Sequence, residues 1–295
     1  MRRRLAIIGL GRVGKACAEA IAATDDLAVA GVVRRPDSIS RPLPPALLDV
    51  RVAAHASELG GFDAALICLP AALVREAAVE LLQHSIPIVE AAVLPATDYG
   101  GHVEDIGRTA HRHKVAAVTG AGWNPGALQV LDACFGMLCP HGHSEVRDRP
   151  GVSLHHTLAA RRVSGVRDAL CTELRAGAGP KQRYVYLELA PGADLARATD
   201  EIRADPLFLD EETLVLPVDS IAALEDEGHG VVLERWGSSG GRPHQRFLLE
   251  GRFDFASVAA QVMVGAARAL PSLPPGGHRL VDLPPAALLE PAAIR

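Results

Sequence analysis

A short apolar segment and a glycine-rich turn stand together near the start of this 295-residue chain. The segment at 5–10, LAIIGL, is apolar without interruption, which is typical of a strand buried on both faces of a parallel sheet. It runs into a G-x-G-x-x-G pattern, and residues with helical spacing follow. In this context the first glycine allows a tight turn, the second lets the backbone approach a pyrophosphate, and the third lets helix and strand pack closely. The predicted dinucleotide-binding residues of the turn are Gly9, Gly11, Arg12, Val13 and Gly14.

Strand-like and helix-like segments alternate through the first part of the chain. Apolar runs suited to buried strands are separated by segments in which apolar residues recur at helical spacing, and the connections are short. This alternation predicts an α/β fold with a doubly wound parallel (Rossmann) sheet. The predicted strands are 5–10, 27–33, 62–69, 86–93 and 115–122, and the predicted helices between the later strands are 71–85 and 102–113.

The pattern changes after Gly122, where longer strand-like segments follow one another with few helices between them. This predicts a second, α+β domain with a mixed or antiparallel sheet. We predict a dinucleotide-binding domain over 1–121 and a substrate-binding and dimerisation domain over 122–270, with 271–295 packing back on the first domain. The predicted elements of the second domain are a helix at 124–138 with Asn124 as its N-cap, strands at 152–159, 183–192, 213–218, 231–237 and 244–253, a turn at 237–243, and a helix at 256–270.

Composition and charge exclude several classes of protein. Thirty basic and 35 acidic residues leave a net charge of −5, and aromatic residues make up only 4% of the chain, which argues against nucleic acid as a partner. No uncharged apolar stretch approaches the roughly 18 residues that a membrane span needs. Five cysteines without a C-x-x-C pair predict free thiols in a reducing compartment, so we expect a cytoplasmic protein.

Two arginines at the end of the second predicted strand bear on the choice of dinucleotide. Arg34 and Arg35 lie about 20 residues beyond the glycine turn, where an NAD-binding chain usually has an acidic residue for the ribose 2′-hydroxyl. Guanidinium groups suit a 2′-phosphate, so NADP(H) is the predicted cofactor, although a solvated charge pair at the start of a loop remains the alternative. At the carboxyl end of a later strand, we expect three residues near the nicotinamide half: Leu69, Pro70 and Ala71.

A zinc site is the alternative that the segment CPHGH raises. Cys139, His141 and His143 alternate along the chain, as ligands on an extended segment could. A fourth ligand is not apparent, and the segment is typical of a turn after a helix. We therefore predict no metal site.

Several longer segments carry a resemblance to one family. They are GWNPG at 122–126 and the segments at 150–170, 183–194, 228–240 and 260–269. With the glycine turn and the VVRR segment in the same order, they make the chain resemble the meso-diaminopimelate dehydrogenases. Those enzymes use NADP to deaminate the D-centre of diaminopimelate oxidatively, or to aminate the keto acid in reverse. The resemblance implies an NADP-dependent amino-acid dehydrogenase with a small amino or keto acid substrate, and a homodimer.

The resemblance also implies site residues. In the family a Thr, an Arg and a His bind the distal L-centre, and they match Thr172, Arg183 and His229. Each residue also has a purely structural interpretation. Thr172 could be an ordinary hydroxyl, Arg183 a surface residue of a strand, and His229 a loop residue. By the same resemblance, Ser153 lies in the substrate loop, Trp123 walls the pocket, and a substrate-binding Asn of the family falls at Asp254 or Phe255.

Two positions depart from the family. Asn124 and Val93 stand where the family has aspartates beside the reacting amino group. An amide cannot act as a base at neutral pH, and Val93 can neither accept a proton nor a hydrogen bond. Glu90, Asp98 or His155 could replace the lost carboxylates. The alternative is a structural role for each: Glu90 ends a strand, Asp98 caps a helix, and His155 is a residue of an alternating strand. The departures favour a changed substrate, namely another amino acid, a keto acid or an imine. A non-catalytic NADP-binding protein is the alternative from a different class.

Overall fold

The computed structural model describes residues 2–148, 151–175, 181–209, 212–226, 231–251 and 253–290. The chain divides into two compact units. The first comprises Met1–Leu138 and Phe253–Arg295, and the second comprises Cys139–Arg252.

Fourteen strands and nine helices are assigned within the described residues. The strands are β1 (Arg3–Ile8), β2 (Leu27–Val33), β3 (Val52–Ala53), β4 (Ala64–Ile67), β5 (Ile88–Glu90), β6 (Ala116–Thr119), β7 (His141–Asp148), β8 (Gly151–Val152), β9 (Val166–Arg175), β10 (Lys181–Leu189), β11 (Glu212–Pro217), β12 (Val231–Ser239), β13 (Arg242–Gly251) and β14 (Gly276–Arg279). The helices are α1 (Arg12–Ala22), α2 (Ala71–Gln83), α3 (Ala96–Arg112), α4 (Leu128–Leu138), α5 (Leu154–Arg161), α6 (Leu195–Ala204), α7 (Ile221–Asp226), α8 (Phe255–Ala269) and α9 (Pro285–Leu288). Within the described ranges, none of these helices has the length and apolar character that crossing a bilayer would require.

The first unit is built on a seven-stranded sheet in the order β14-β6-β5-β4-β1-β2-β3. Its neighbouring strands pair in parallel. Helices cover both faces: Ile21 of α1 and Met263 of α8 pack into one buried cluster, and Leu82 of α2 and Ile106 of α3 into the other. Strands covered on both faces need continuous apolar residues. This is why the apolar runs of the sequence form the strands of this sheet. The predicted doubly wound parallel sheet is confirmed.

The division between the units lies at 138/139 and 252/253, not at the predicted 121/122 and 270/271. The reason is α8, whose small residues pack closely within the first unit. A Cβ on Gly265 would lie 2.7 Å from the carbonyl oxygen of Leu288. Arg268 at the end of α8 also forms an ion pair with Asp26, at 2.8 Å from nitrogen to oxygen, and this hydrogen bond lowers the pKa of Asp26.

The second unit contains two sheets. The four-stranded sheet has the order β11-β10-β9-β8, with one parallel pair and two antiparallel pairs. The three-stranded sheet has the order β13-β12-β7 and is antiparallel, with a turn at Gly240 and Gly241 joining β12 to β13. The predicted mixed or antiparallel sheet is therefore confirmed.

The predicted strand at 152–159 is wrong. Strand β8 covers only Gly151–Val152, and α5 begins directly afterwards with Ser153 at the N-cap position. Within α5, Thr157 and Ala160 are buried, whereas Leu158 and Arg161 are exposed, and this spacing of three residues is that of a helix face. Over eight residues of mixed polarity, alternation and helical spacing are too similar to separate.

Candidate functional site

The glycine turn between β1 and α1 is closed by backbone packing. Gly9 has a φ of +96°, in the region that favours glycine, and its N–H donates to the carbonyl of Val33 at 2.9 Å. A Cβ on Gly9 would lie 2.7 Å from the carbonyl oxygen of Cys68, which directly follows β4. A Cβ on Gly14 would lie 2.1 Å from the carbonyl oxygen of Gly9. Both glycines are thus required by the turn itself.

Gly11 differs from the other two glycines of the turn. No described atom beyond its chain neighbours lies within 4 Å of the position that a Cβ on Gly11 would take. Its φ of −77° is open to any residue, and it holds the N-cap position of α1 without a side chain to cap the helix. The first turn, which contains the exposed Arg12 and the half-buried Val13, has no acidic residue. The first N–H groups of a helix and the positive end of its dipole favour an anion.

The glycine turn stands where the strand order reverses. From β1 the chain continues to β2 on one side of the sheet, whereas β4 pairs with β1 on the other side. In open α/β sheets this is the crevice that binds ligands, outside the carboxyl ends of the strands. Leu69 follows β4 there, Pro70 is the N-cap of α2 and Ala71 begins that helix. The structure therefore brings the predicted cofactor residues of β1 and β4 to one edge of the sheet.

Arg34 and Arg35 follow β2 at the same edge. The N–H of Arg34 donates to the carbonyl of Ala53, and its guanidinium donates to the carbonyl of Arg41 at 2.9 Å, so the side chain is held beside the loop that follows. Arg35 is exposed, with its guanidinium 3.8 Å from Asp37. Both cations remain accessible to an anion.

Cys68 lies beneath this crevice as a thiol. Its Sγ is 3.8 Å from that of Cys17, and the contact with Cys17 together with burial raises the pKa of Cys68 well above its usual value. A thiol held protonated is a poor nucleophile. All five cysteines lie in the described chain and are free.

Trp123 and Asn124 follow β6, farther along the same sheet. The indole of Trp123 packs against Phe253, with ring centroids 4.5 Å apart. Phe253 in turn contacts Phe255, at the start of α8. Asn124 is exposed and has an extended backbone, with φ −124° and ψ 123°. The helical turn Trp123–Ala127 is interrupted at Asn124, whose non-helical φ and ψ are those of a residue that precedes a helix.

Glu90 ends β5 and is completely buried. Its Oε2 accepts a hydrogen bond from the N–H of Ala92, and its Oε1 accepts one from the N–H of Gly120 at 2.8 Å. Nε2 of His102, on α3, is 3.1 Å from the same Oε1. A carboxylate with this many protein partners is not exposed to a ligand. Sequence reasoning missed this network, because nothing local to Glu90 signals His102.

The other positions near β5 are open to solvent. Val93 is 71% exposed, so an apolar side chain occupies a position that faces water. Asp98 lies in the first turn of α3, where its carboxylate accepts a hydrogen bond from Thr97. It is not the N-cap, which is Pro95.

Asp254 is the N-cap of α8. Its Oδ1 accepts hydrogen bonds from both the N–H and the hydroxyl of Ser257, each at 2.8 Å. The bond from the N–H of Ser257 is the main reason that the pKa of Asp254 is lowered. An Asp directly before an apolar helix is a capping signal that the sequence carried.

In the second unit, Ser153 contacts His156, and not the predicted His155. Its hydroxyl oxygen is 2.7 Å from Nδ1 of His156, and Nε2 of His156 is 2.9 Å from the carbonyl oxygen of Leu207. His155 is exposed on α5 and lines a cavity of about 350 Å³ with Leu158, Ala159, Arg162, Val163, Glu201, Asp205 and Leu207. Ser153 is not among the residues that line this cavity.

Thr172 and Arg183 are both buried but do not share a face of their sheet. In the antiparallel pair of β9 and β10, Arg183 lies opposite Glu173 and Thr172 lies opposite Tyr184. Because successive side chains of a strand point to opposite faces, Thr172 and Arg183 project in opposite directions. Arg183 is 3.5 Å from the carboxylate of Glu173. His229 lies outside the described residues.

The hydroxyl of Thr172 has no hydrogen-bond partner among the described residues, although the side chain is 1% exposed. A buried polar group without a partner is costly, so such a hydroxyl marks a place where a bound molecule could be accepted.

Cys139 precedes the strand that carries the two histidines of CPHGH. Its Sγ is buried and lies 3.6 Å from the carbonyl oxygen of Ser238. The segment from His141 onward is strand β7 and not the predicted turn. In the described ranges of the chain, no group of three His, Cys, Asp or Glu residues comes together as a metal site would require.

No protein-family model matches this chain. The chain is 34% identical over 284 residues to the meso-diaminopimelate D-dehydrogenase of Bacteroides fragilis, covering 95% of this chain and 93% of the relative. It is 27% identical over 326 residues to the meso-diaminopimelate D-dehydrogenase of Acetivibrio thermocellus, covering 97% and 93% of the two chains.

Solved structures agree in fold. A variant meso-diaminopimelate dehydrogenase from Clostridium tetani with DAP superimposes with a TM-score of 0.65 at 19% identity, covering 99% of this chain and 98% of that one. The C. glutamicum DAP dehydrogenase in complex with DAP gives 0.61 at 20% identity, with 98% and 96% covered. An engineered D-amino acid dehydrogenase bound to NADP⁺ also gives 0.61 at 20% identity, with the same shares covered.

Proposed function

The chain belongs to the meso-diaminopimelate D-dehydrogenase family, and from that premise we propose that it is an NADP-dependent dehydrogenase acting on the CH–NH₂ group of an amino acid. The observation that carries the proposal is the open glycine turn at the reversal of the strand order. Gly9 and Gly14 are needed for the turn itself, whereas Gly11 leaves space that the protein does not fill. A ligand explains the glycine at that position.

The residues at the carboxyl edge of the first sheet fit NADP. The N-terminus of α1 would hold the pyrophosphate, and Arg34 and Arg35 would hold the 2′-phosphate by charge-assisted hydrogen bonds. Leu69, Pro70 and Ala71 would border the nicotinamide half. When bound, NADP⁺ accepts the hydride from the substrate carbon. The chain's own part is to bind, orient and shield the reacting groups.

For the substrate we propose Trp123 as a wall of the pocket and Asn124 as a hydrogen-bonding group near the reacting nitrogen. Asn124 is exposed and able to donate or accept, but it supplies no charge. With Val93 also uncharged and Glu90 engaged in a buried network, the carboxylates of the family have no replacement at these positions. We therefore expect weaker stabilisation of an ammonium group, and diaminopimelate or a less cationic amino or keto acid as substrate.

We assign the binding of the substrate's distal centre to residues of the second unit. Of the three residues proposed for the distal centre, Thr172 is the best supported, because its buried hydroxyl lacks a protein partner among the described residues. Arg183 points to the opposite face, where it is paired with Glu173. Ser153 and His155 remain candidates by the resemblance alone, as does His229. Asp254 has a capping role that competes with substrate binding.

Absorbance at 340 nm tests the function. With NADP⁺ and meso-diaminopimelate at mildly alkaline pH, we expect NADPH to form, and with NAD⁺ in parallel we expect much slower reduction. A panel of keto acids with ammonia and NADPH identifies the substrate if diaminopimelate is inert. NADPH binding without turnover of any amino or keto acid would contradict the proposal and favour a non-catalytic NADP-binding protein.

We further propose that the protein is a cytoplasmic homodimer. Helix α4, LQVLDACFGML, is apolar except at Gln129 and Asp132, yet only Leu128 is buried. Met137 is 75% exposed and Leu138 47% exposed. A helix that is apolar around most of its circumference needs cover, and we assign that cover to a second copy of the chain. The free thiols fit a reducing compartment.

Met137→Glu tests the dimer. Because the change buries a charge in the proposed interface, we expect the dimer dissociation constant to rise by about a hundredfold. Sedimentation velocity at micromolar protein measures it. Leu73→Glu, at an exposed apolar position on α2, is the matched control and should leave the dimer intact. A monomeric unmodified protein, or a Met137→Glu protein that stays dimeric, would refute the assignment.

A further inference from the structure

Glu90 joins two loops that flank the proposed reacting centre. Its carboxylate accepts from the N–H of Ala92, in the loop after β5, and from the N–H of Gly120, in the loop after β6. Its own carbonyl accepts from the N–H of Ala121 at 2.7 Å. The first loop continues to Val93, and the second continues to Trp123.

His102 completes the arrangement from α3. Its ring is 8% exposed and Glu90 is fully buried, so the pair is shielded from water. A carboxylate can only accept, so the contact between Glu90 and His102 is a hydrogen bond in which Nε2 of His102 donates. Three donors on one carboxylate satisfy a group that would otherwise be costly to bury.

The second loop has little freedom of its own. Gly120 has a φ of +61°, and a Cβ there would lie 2.6 Å from the hydroxyl oxygen of Tyr99. The N–H of Gly122 donates to the carbonyl of Gly120 at 2.8 Å. A shift of Gly120 would therefore be transmitted to the start of the turn at Trp123.

We propose that Glu90, oriented by His102, is a positioning residue that fixes the loops of Val93 and Trp123 for the reaction. The proposal rests on the proposed function for its kinetic part only. A carboxylate is required at this position. In Glu90→Gln the amide NH₂ would replace one of the two oxygens, and it would face a hydrogen-bond donor without being able to accept from it.

The test uses the full chain in a Trp236→Phe background, in which Trp123 is the only one of the two tryptophans left. In Glu90→Gln and in His102→Leu we expect acrylamide to quench Trp123 more strongly, because its loop loses its anchor. We expect kcat to fall by about tenfold to a hundredfold with little change in NADPH affinity. His102→Gln keeps a hydrogen-bond donor, so the quenching of Trp123 and kcat should both stay close to those of the protein with His102. Glu104→Gln, an exposed acid on the same α3, is the control and should change neither.

Unchanged quenching of Trp123 in both variants would overturn the proposal. So would a fall in kcat that is matched by an equal loss of NADPH binding, because that pattern indicates a general loss of structure. If Glu90→Gln does not fold, His102→Leu decides. If the unmodified protein turns over no substrate, the proposed function fails, and the quenching of Trp123 still decides whether Glu90 positions its loop.

Discussion

Gly14→Ala is expected to destabilise the protein severely even without a cofactor. The new Cβ would lie 2.1 Å from the carbonyl oxygen of Gly9; the backbone of α1 fixes the Cβ, and the oxygen is itself a backbone atom. Neither can move without displacing α1 from β1, so we expect the free energy of unfolding to fall by about 3 kcal/mol. Urea denaturation of the cofactor-free protein measures the change.

Gly11→Ala is the matched variant in the same turn. Its Cβ would meet no described atom within 4 Å, and its φ of −77° suits alanine. We expect the free energy of unfolding to change by at most about 1 kcal/mol, the size of an N-cap effect. The affinity for NADPH should nevertheless fall by about a hundredfold, because the backbone must approach the pyrophosphate at this residue. Normal NADPH binding by Gly11→Ala would show that the space beside Gly11 is not the cofactor site.

The parallel sheet of the first unit could be predicted because its signals are local. A continuous apolar run followed by three spaced glycines specifies a buried strand, a turn and a helix within fifteen or so residues. The family assignment rested on segments spread along the chain, and it is confirmed by the relative from Bacteroides fragilis. NADP as the cofactor followed from Arg34 and Arg35 together with that family.

The features that could not be predicted depend on tertiary structure. The sequence of α8 predicts a helix, but it does not predict the position of that helix beside α1, which depends on packing that no local pattern encodes. The faces of Thr172 and Arg183 depend on the register of β9 and β10, and a shift of one residue would reverse the result. Glu90 meets Gly120 and His102 only after β5, β6 and α3 have assembled.

The choice between NADP and NAD should depend on the two arginines after β2. In the double variant Arg34→Ser with Arg35→Ser, we expect the affinity for NADP⁺ to fall by about a hundredfold to a thousandfold. Two charge-assisted hydrogen bonds contribute about 1.5–3 kcal/mol each. The expected loss is smaller than their sum, because water screens the contact of the exposed Arg35. The affinity for NAD⁺ should stay unchanged, because NAD⁺ has no 2′-phosphate. Isothermal titration calorimetry with both cofactors measures the difference.

A charge-matched control separates recognition from net charge. Arg112→Ser with Lys114→Ser removes the same two positive charges at the C-terminal end of α3. In a parallel sheet this end of the helix lies at the amino ends of the strands, on the edge away from the glycine turn. Both cofactors should therefore bind as they do to the unmodified protein. The loss of NADP⁺ affinity in the arginine variant should also shrink as salt is added, since the contact is electrostatic. An equal loss of NADP⁺ and NAD⁺ affinity would mean that Arg34 and Arg35 support the loop and do not read the 2′-phosphate.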